Sequence, residues 1–213
     1  GIDPGGRVGD DGPTHHGFFD IAYLRGFPQL IIAAPKDFSE ALDMLDAALT
    51  LDSTFAIRYP RDYAPDFGDR FARRPIETGK GETLINGERI ALLAYGAMVE
   101  RAVDASDIIF SETGIRVSVA NARFVKPLDL PLIKALLDSH DRLFTLEDHQ
   151  LAGGFGSAVL EALSADGHPG VSRVEILGIP DRYIPHASRS EQLESLGLDA
   201  AGIASRVRAR LSV

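Results

Sequence analysis

Short β-rich runs alternate with amphipathic helical stretches along most of the chain, the pattern of a parallel α/β sheet with crossover helices. The run Gln29-Leu-Ile-Ile-Ala-Ala34, bounded by Pro28 and Pro35, predicts the first strand. Asp37 follows as an N-cap with Glu40 three residues on, a capping-box spacing. Phe38, Ala41, Leu42, Leu45 and Leu49 then recur at helical spacing and predict a helix that buries this face. Thr54-Phe-Ala-Ile-Arg58 predicts a second strand, which stops at Pro60.

From Asp62 to Glu88 the pattern dissolves into Pro, Gly and charged residues, which predicts a domain boundary between Arg73 and Lys80. Beyond it the alternation is regular. Strands are expected over Arg89 to Tyr95, Ile115 to Ala120, Arg142 to Leu146 and Val174 to Leu177. Helices are expected over Ala97 to Phe110, Leu130 to Leu137, Gly156 to Leu163, Ser190 to Leu196 and Ala200 to Leu211, with Asp129 and Asp199 as N-caps. Residues 76–213 therefore read as a complete, doubly wound α/β domain. Residues 5–75 supply two strands and one helix, too little for a parallel sheet covered on both faces, and read as part of a larger domain. Gly1-Ile-Asp-Pro4 reads as a cloning scar.

Composition narrows the class. The 213 residues are 45% hydrophobic and 25% charged, as in globular proteins with a buried core. A net charge of −9 argues against a nucleic-acid partner, which calls for a basic face. No apolar run approaches the ~20 residues of a membrane span, and the N-terminus shows no signal-peptide core, so a soluble protein with no membrane partner is expected. The absence of cysteine removes disulfides, thiolate nucleophiles and Cys-ligated metals.

Candidate chemistry concentrates in two places. The loop Gly9-Asp-Asp-Gly-Pro-Thr-His-His-Gly17 combines residues that let backbone approach a ligand with a carboxylate and an imidazole. Asp11 and His15 could converge there on one small molecule and move protons near neutral pH, or the loop could simply cap a helix starting near Phe18. Neighbouring His15 and His16 tend to point apart and Asp10 and Asp11 lack a further ligand, so no metal site is expected. Arg58-Tyr-Pro-Arg61 stands at a predicted strand end, where parallel sheets bind ligands and a guanidinium can grip an anion; a surface arginine paired with an acid is the alternative.

Gly153-Gly-Phe-Gly-Ser157 lacks both the G-x-G-x-x-G spacing and a P-loop lysine, and reads as tight strand-to-helix packing. Glu147, Asp148 and His149 before it could line an interface or cleft, or form a solvated turn. His140, His168 and His186 show no sequence partners and are read as non-catalytic, and no G-x-S-x-G motif supports a serine nucleophile.

Taken in order, several stretches resemble the 1-deoxy-D-xylulose-5-phosphate synthase family of transketolase-like enzymes. They are Asp11-Gly-Pro-Thr-His-His-Gly17, Asp20-Ile-Ala-Tyr-Leu-Arg25, Ala34-Pro-Lys-Asp37, Ile57-Arg-Tyr-Pro-Arg61, Asn121-Ala-Arg-Phe-Val-Lys-Pro-Leu-Asp129, Gly153-Gly-Phe-Gly-Ser157, Gly178-Ile-Pro-Asp181 and Leu196-Gly-Leu-Asp-Ala-Ala-Gly-Ile203. The resemblance implies part of a pyrimidine-binding domain followed by a complete transketolase C-terminal-type domain. It also implies thiamine-diphosphate-dependent decarboxylation of pyruvate and condensation with D-glyceraldehyde 3-phosphate, in a cytoplasmic homodimer that supplies isoprenoid, thiamine and pyridoxal precursors. By position, His15 matches the histidine beside cofactor and substrate, Asp11 the acid facing the acceptor, and Arg61 the arginine on the acceptor's phosphate. At the position of His16 the family also carries glutamine.

The family's G-D-G…N magnesium motif and its cofactor-activating glutamate have no match here, and Pro4 stands where a second phosphate-binding arginine is expected. Asp62-Tyr-Ala-Pro-Asp-Phe67 replaces the family's Gly-rich turn. Thiamine diphosphate and Mg2+ would thus belong to the intact enzyme, and these residues alone are expected neither to bind the cofactor tightly nor to turn over. Two rivals share the fold. A 2-oxo acid dehydrogenase β-subunit would carry an H-S-Q-type loop and no phosphate-gripping Arg61, and a transketolase-C-like dimerisation module would have no use for Asp11, His15 and Arg61.

Overall fold

The strand-and-helix alternation folds into two sheets. The computed structural model describes residues 17–60 and 64–211. In chain order the elements are α1 (Asp20–Leu24), β1 (Ile31–Ala33), α2 (Phe38–Thr50), β2 (Phe55–Ile57), β3 (Glu82–Ile85), β4 (Ile90–Ala94) and α3 (Met98–Thr113). There follow β5 (Ser118–Asn121), β6 (Phe124–Lys126), α4 (Leu130–Ser139), β7 (Arg142–Gln150), α5 (Phe155–Asp166), β8 (Val174–Ile179), α6 (Arg189–Ser195) and α7 (Ala200–Leu211).

The larger sheet has the order β3-β5-β4-β7-β8, parallel except for the antiparallel edge strand β3. Its apolar residues alternate between two cores. Leu92, Val119 and Phe144 pack with Val99, Val103, Ile203 and Val207 of α3 and α7, while Leu93 and Leu143 pack with Ile133, Leu137, Phe155 and Val159 of α4 and α5. Helices on both faces are what buried parallel strands require, so the doubly wound architecture follows from near-continuous apolar strands such as Ile90-Ala-Leu-Leu-Ala94. The caps act where expected: Asp129 accepts from Leu132 N at 3.1 Å and Asp199 from Gly202 N at 3.2 Å. None of the helices among the described residues is long and apolar enough to cross a membrane.

The smaller sheet, β2-β1-β6, joins sequence-distant segments. β1 and β2 are parallel, and β6 adds antiparallel to β1. The chain leaves the large sheet at Asn121 and enters the small one at Phe124 through Arg123, whose φ of 57° is left-handed. That conformation is uncommon for a residue with a side chain and needs surrounding structure to hold it.

Two expectations are corrected. The α2 face of Phe38, Leu42, Leu45 and Leu49 is exposed, and Glu40 and Met44 are the helix's buried residues. Periodicity locates an apolar stripe but not what it faces; here the opposite side lies on the small sheet. Its capping is also shifted. Asp37 accepts from Glu40 N at 2.7 Å, but the Glu40 carboxylate accepts from Lys36 N, one residue before the cap.

Candidate functional site

The predicted site residues Asp11, His15 and Arg61 lie outside the described residues, as does His16. The residues on either side of the segment that carries Arg61 are described. Ala33 and Ile57 are partners in the parallel pairing, so Ala34-Pro-Lys-Asp37 and Arg58-Tyr-Pro60 leave the same carboxyl edge of the small sheet side by side. A cleft of about 580 Å3 opens at this edge, lined by Lys36, Tyr59, Pro60, Ala64, Arg101 and Arg189 among others. Its size suits a small ligand. Pro60 and Ala64, the described residues flanking the segment with Arg61, both line it. Arg101 is paired there with Glu100 at 3.3 Å, and Arg189 with Asp148 at 2.9 Å.

Beneath the cleft lies a buried polar joint. Arg58, 4% exposed, donates from Nε to Asp20 Oδ2 at 2.8 Å and from Nη2 to the Asp148 carbonyl at 2.8 Å. His149 Nε2 accepts from Ile21 N at 3.1 Å, while its Nδ1 faces the Gln150 carbonyl at 2.7 Å. A protonated Nδ1 satisfies both contacts in a neutral ring. Burial pulls the His149 imidazole down to about 3, reinforced by the Arg58 charge. Burial likewise raises Asp20 above the ordinary carboxylate range, although Arg58 opposes the shift.

Glu147, Asp148 and His149 thus belong to β7 and are buried; the solvated-turn alternative is set aside. Glu147 accepts from Phe155 N at 2.6 Å and Gly156 N at 2.8 Å, capping α5. Burial nevertheless pushes its carboxyl up to about 8, the two N–H groups opposing. Gly153 has a φ of 74°, and a Cβ there would stand 2.9 Å from the Ala22 side chain. The glycines therefore permit close packing of α1 on this turn, and Glu147 takes the helix N-terminus that a phosphate would need.

A second buried cluster ties the two sheets together. Glu40 and Glu82 face Lys36 at 3.1 and 3.2 Å and Arg123 at 2.7 and 3.0 Å, and Asn121 Nδ2 donates to Glu40 at 3.0 Å. Burial pulls the Lys36 ammonium down, but Glu40, Glu82 and Asp37 outweigh it, so Lys36 ends above its ordinary value. Lys126 Nζ donates to the Arg25 carbonyl at 2.8 Å, and Arg25 Nη1 to the Gly153 carbonyl at 3.0 Å. Sequence reasoning missed Asp20, Glu40, Glu82 and Arg123. The available signal was a lone charge between apolar neighbours, as in Phe19-Asp-Ile21 and Ala122-Arg-Phe124.

Among the described residues no group of three or more His, Asp and Glu could hold a metal ion, and the α5 N-terminus is occupied by a carboxylate. The described residues therefore do not fit a diphosphate–metal group. His140, bonded to Ser118 Oγ at 2.9 Å, and His168, capping Gly170 N at 3.1 Å, make structural contacts.

Comparison with known proteins gives two family matches: the transketolase pyrimidine binding domain over residues 2–65 and the transketolase C-terminal domain over residues 79–203. A 1-deoxy-D-xylulose-5-phosphate synthase of Heliobacterium modesticaldum is 47% identical over 97% of this chain and 32% of its own length. One of Geobacter sulfurreducens is 45% identical over 99% of this chain and 33% of its own length. The chain thus spans about a third of the length of these relatives. Among solved structures, a split-gene transketolase described as an inactive β4 tetramer superposes with a TM-score of 0.83 at 27% identity, over 94% of this chain and 64% of that one. A Pichia stipitis transketolase variant at 20% identity, with a TM-score of 0.71 over 94% of this chain and 28% of that one, shares the fold.

Proposed function

Because the chain belongs to the transketolase family, and matches its 1-deoxy-D-xylulose-5-phosphate synthases along nearly its whole length, we propose that it is part of such a synthase. The whole enzyme would join pyruvate to D-glyceraldehyde 3-phosphate with loss of CO2, using thiamine diphosphate and Mg2+ held by residues other than those described here. The observation that carries this reading is 47% identity across 97% of the chain to a synthase of that name. Arg61 grips the acceptor's phosphate, Asp11 faces the acceptor, and His15 orients it or donates a proton beside the cofactor. The strand-edge cleft supports the first role, since residues on both sides of Arg61 line it.

The test is an assay of a full-length enzyme bearing this sequence with pyruvate and D-glyceraldehyde 3-phosphate. One CO2 per 1-deoxy-D-xylulose 5-phosphate is expected; acetyl transfer to a lipoyl arm instead would favour a 2-oxo acid dehydrogenase. The 213 residues alone are inactive in this reading, in a cytoplasmic enzyme whose working state is a homodimer. The split-gene relative, solved as an inactive tetramer, supports the inactivity. Calorimetry of the chain with thiamine diphosphate and Mg2+ should give no binding at about micromolar affinity, or roughly −8 kcal/mol; a heat signal at that affinity contradicts it.

A further inference from the structure

The large apolar side chains left exposed among the described residues gather on one helix. Five of the eleven belong to α2 and the residue that ends it: Phe38, Leu42, Leu45, Leu49 and Leu51. The first four recur at helical spacing and form one stripe, which runs about 17 Å along the helix from Phe38 at the cleft to Leu49. The other side of α2 is spent on the small sheet, through Glu40 and Met44. By contrast α3 exposes a single large apolar ring, Phe110, and the Arg116 guanidinium covers it at 4.0 Å. A continuous apolar stripe of this extent marks a contact surface.

The charges around the stripe say what it can meet. Asp46 borders it on one flank, with Asp43 behind it already paired to Arg73, and Ala41 and Ala48 form the other flank. The helix has no lysine or arginine, and Leu51 and Asp52 follow its last turn exposed, so the negative end of its dipole stands open. A second copy supplies no counter-charge: antiparallel two-fold pairing lays the Asp46 flank on itself, and parallel pairing lays it on the alanines. A lipid surface calls for a basic polar face, which α2 lacks. An amphipathic helix with Lys or Arg beside its apolar residues matches both the stripe and its edge.

Beside α2, β2 is an edge strand whose only partner among the described residues is β1. The chain spans about a third of its synthase relatives, so about two-thirds of such an enzyme remains to be placed around it. We propose that the outer face of α2 is an interaction surface for an amphipathic, basic-edged helix supplied by the part of the synthase outside these 213 residues. This rests on the reading that the chain is part of such a synthase. Leu45 is open to solvent in these 213 residues and covered in the whole enzyme.

The experiment places the photo-crosslinker p-benzoylphenylalanine at Leu45 or, separately, Leu49 of the full-length enzyme and maps the adducts by peptide mass. Adducts are expected on a peptide outside these 213 residues that carries Lys or Arg and apolar residues three or four apart. Charge reversal in Asp46→Lys should cut the adduct yield about threefold or more, and Asp46→Asn should cut it less. In a Leu45→Cys enzyme, maleimide should label that thiol about tenfold or more slowly in the native state than after unfolding in urea.

Adducts confined to these 213 residues, from the same or a second copy, overturn the proposal, as does a yield unchanged in Asp46→Lys. If the bulky replacements do not fold, Leu45→Cys decides: protection that Asp46→Lys weakens sustains the proposal, and labelling at the unfolded rate overturns it. A wild-type enzyme that makes no 1-deoxy-D-xylulose 5-phosphate sinks the proposed function, while the adducts still decide the surface. An active enzyme whose adducts stay within these 213 residues sinks this inference alone.

Discussion

Glu147 and His149 point from β7 into the same buried joint, and burial drives them in opposite directions. His149 is held at about 3 against an ordinary 6.5, so between those values the folded chain binds fewer protons there than the unfolded chain, and this contribution to stability rises with pH. Glu147 is held at about 8 against 4.5, so between those values the folded chain binds more, and its contribution falls with pH. Each slope is at most about 1.4 kcal/mol per pH unit, and the two oppose each other where they overlap. Stability from this pair should climb between about pH 3 and 4.5, stay level to 6.5, and decline towards 8. Denaturation midpoints across this range should show the acid-side climb reduced in His149→Gln and the alkaline decline reduced in Glu147→Gln. Parallel profiles for wild type and variants would contradict these assignments.

At the scale of elements, α2 offers the sharpest contrast. Met44 is fully buried against the small sheet while Leu45 beside it is 48% exposed. Met44→Ala should cost about 2–5 kcal/mol and Leu45→Ala less than about 0.5 kcal/mol in chemical denaturation; comparable losses would put the apolar stripe back on a core. The ion cluster invites a second comparison. Glu40→Ala leaves Arg123 and Lys36 short of buried negative charge and should cost about 3–5 kcal/mol. Removing the Arg73–Asp43 pair, whose guanidinium is exposed, should cost far less in the same measurement.

These elements also show what the sequence could reveal. β4 was legible because a strand buried on both faces is apolar throughout, β5, the first half of β7 and β8 because short β-rich runs alternate there with helical stretches, and α4 because Asp129 caps it. The edge strand β3 was not, since Glu82-Thr-Leu-Ile85 sits among glycines and charges and gets its pairing from distant β5. Nor was β6, three residues whose strand character comes from pairing with β1. The polar tail of β7 read equally as a turn because burial of Glu147, Asp148 and His149 depends on partners more than 120 residues away for His149 and 90 away for Asp148.

Across the whole molecule, the charges of the family-like motifs do two kinds of work. Arg25, Lys36, Arg58, Arg123 and Lys126 bind carboxylates and carbonyls that hold the two sheets and α1 together. Asp11, His15 and Arg61 are the ones proposed to meet substrate. Sequence reasoning proposed the second set from residue type, a glycine-rich loop, a strand end and the family resemblance, and overlooked most of the first, whose partners no local pattern reveals. The account therefore turns on Arg61. The most direct measurement is KM for D-glyceraldehyde 3-phosphate in the full-length enzyme, wild type against Arg61→Ala. Loss of charge-assisted hydrogen bonds to phosphate predicts a rise of about tenfold or more, with KM for pyruvate within about twofold. An Arg61→Ala enzyme whose KM for the phosphorylated aldehyde stays at the wild-type value would contradict the account.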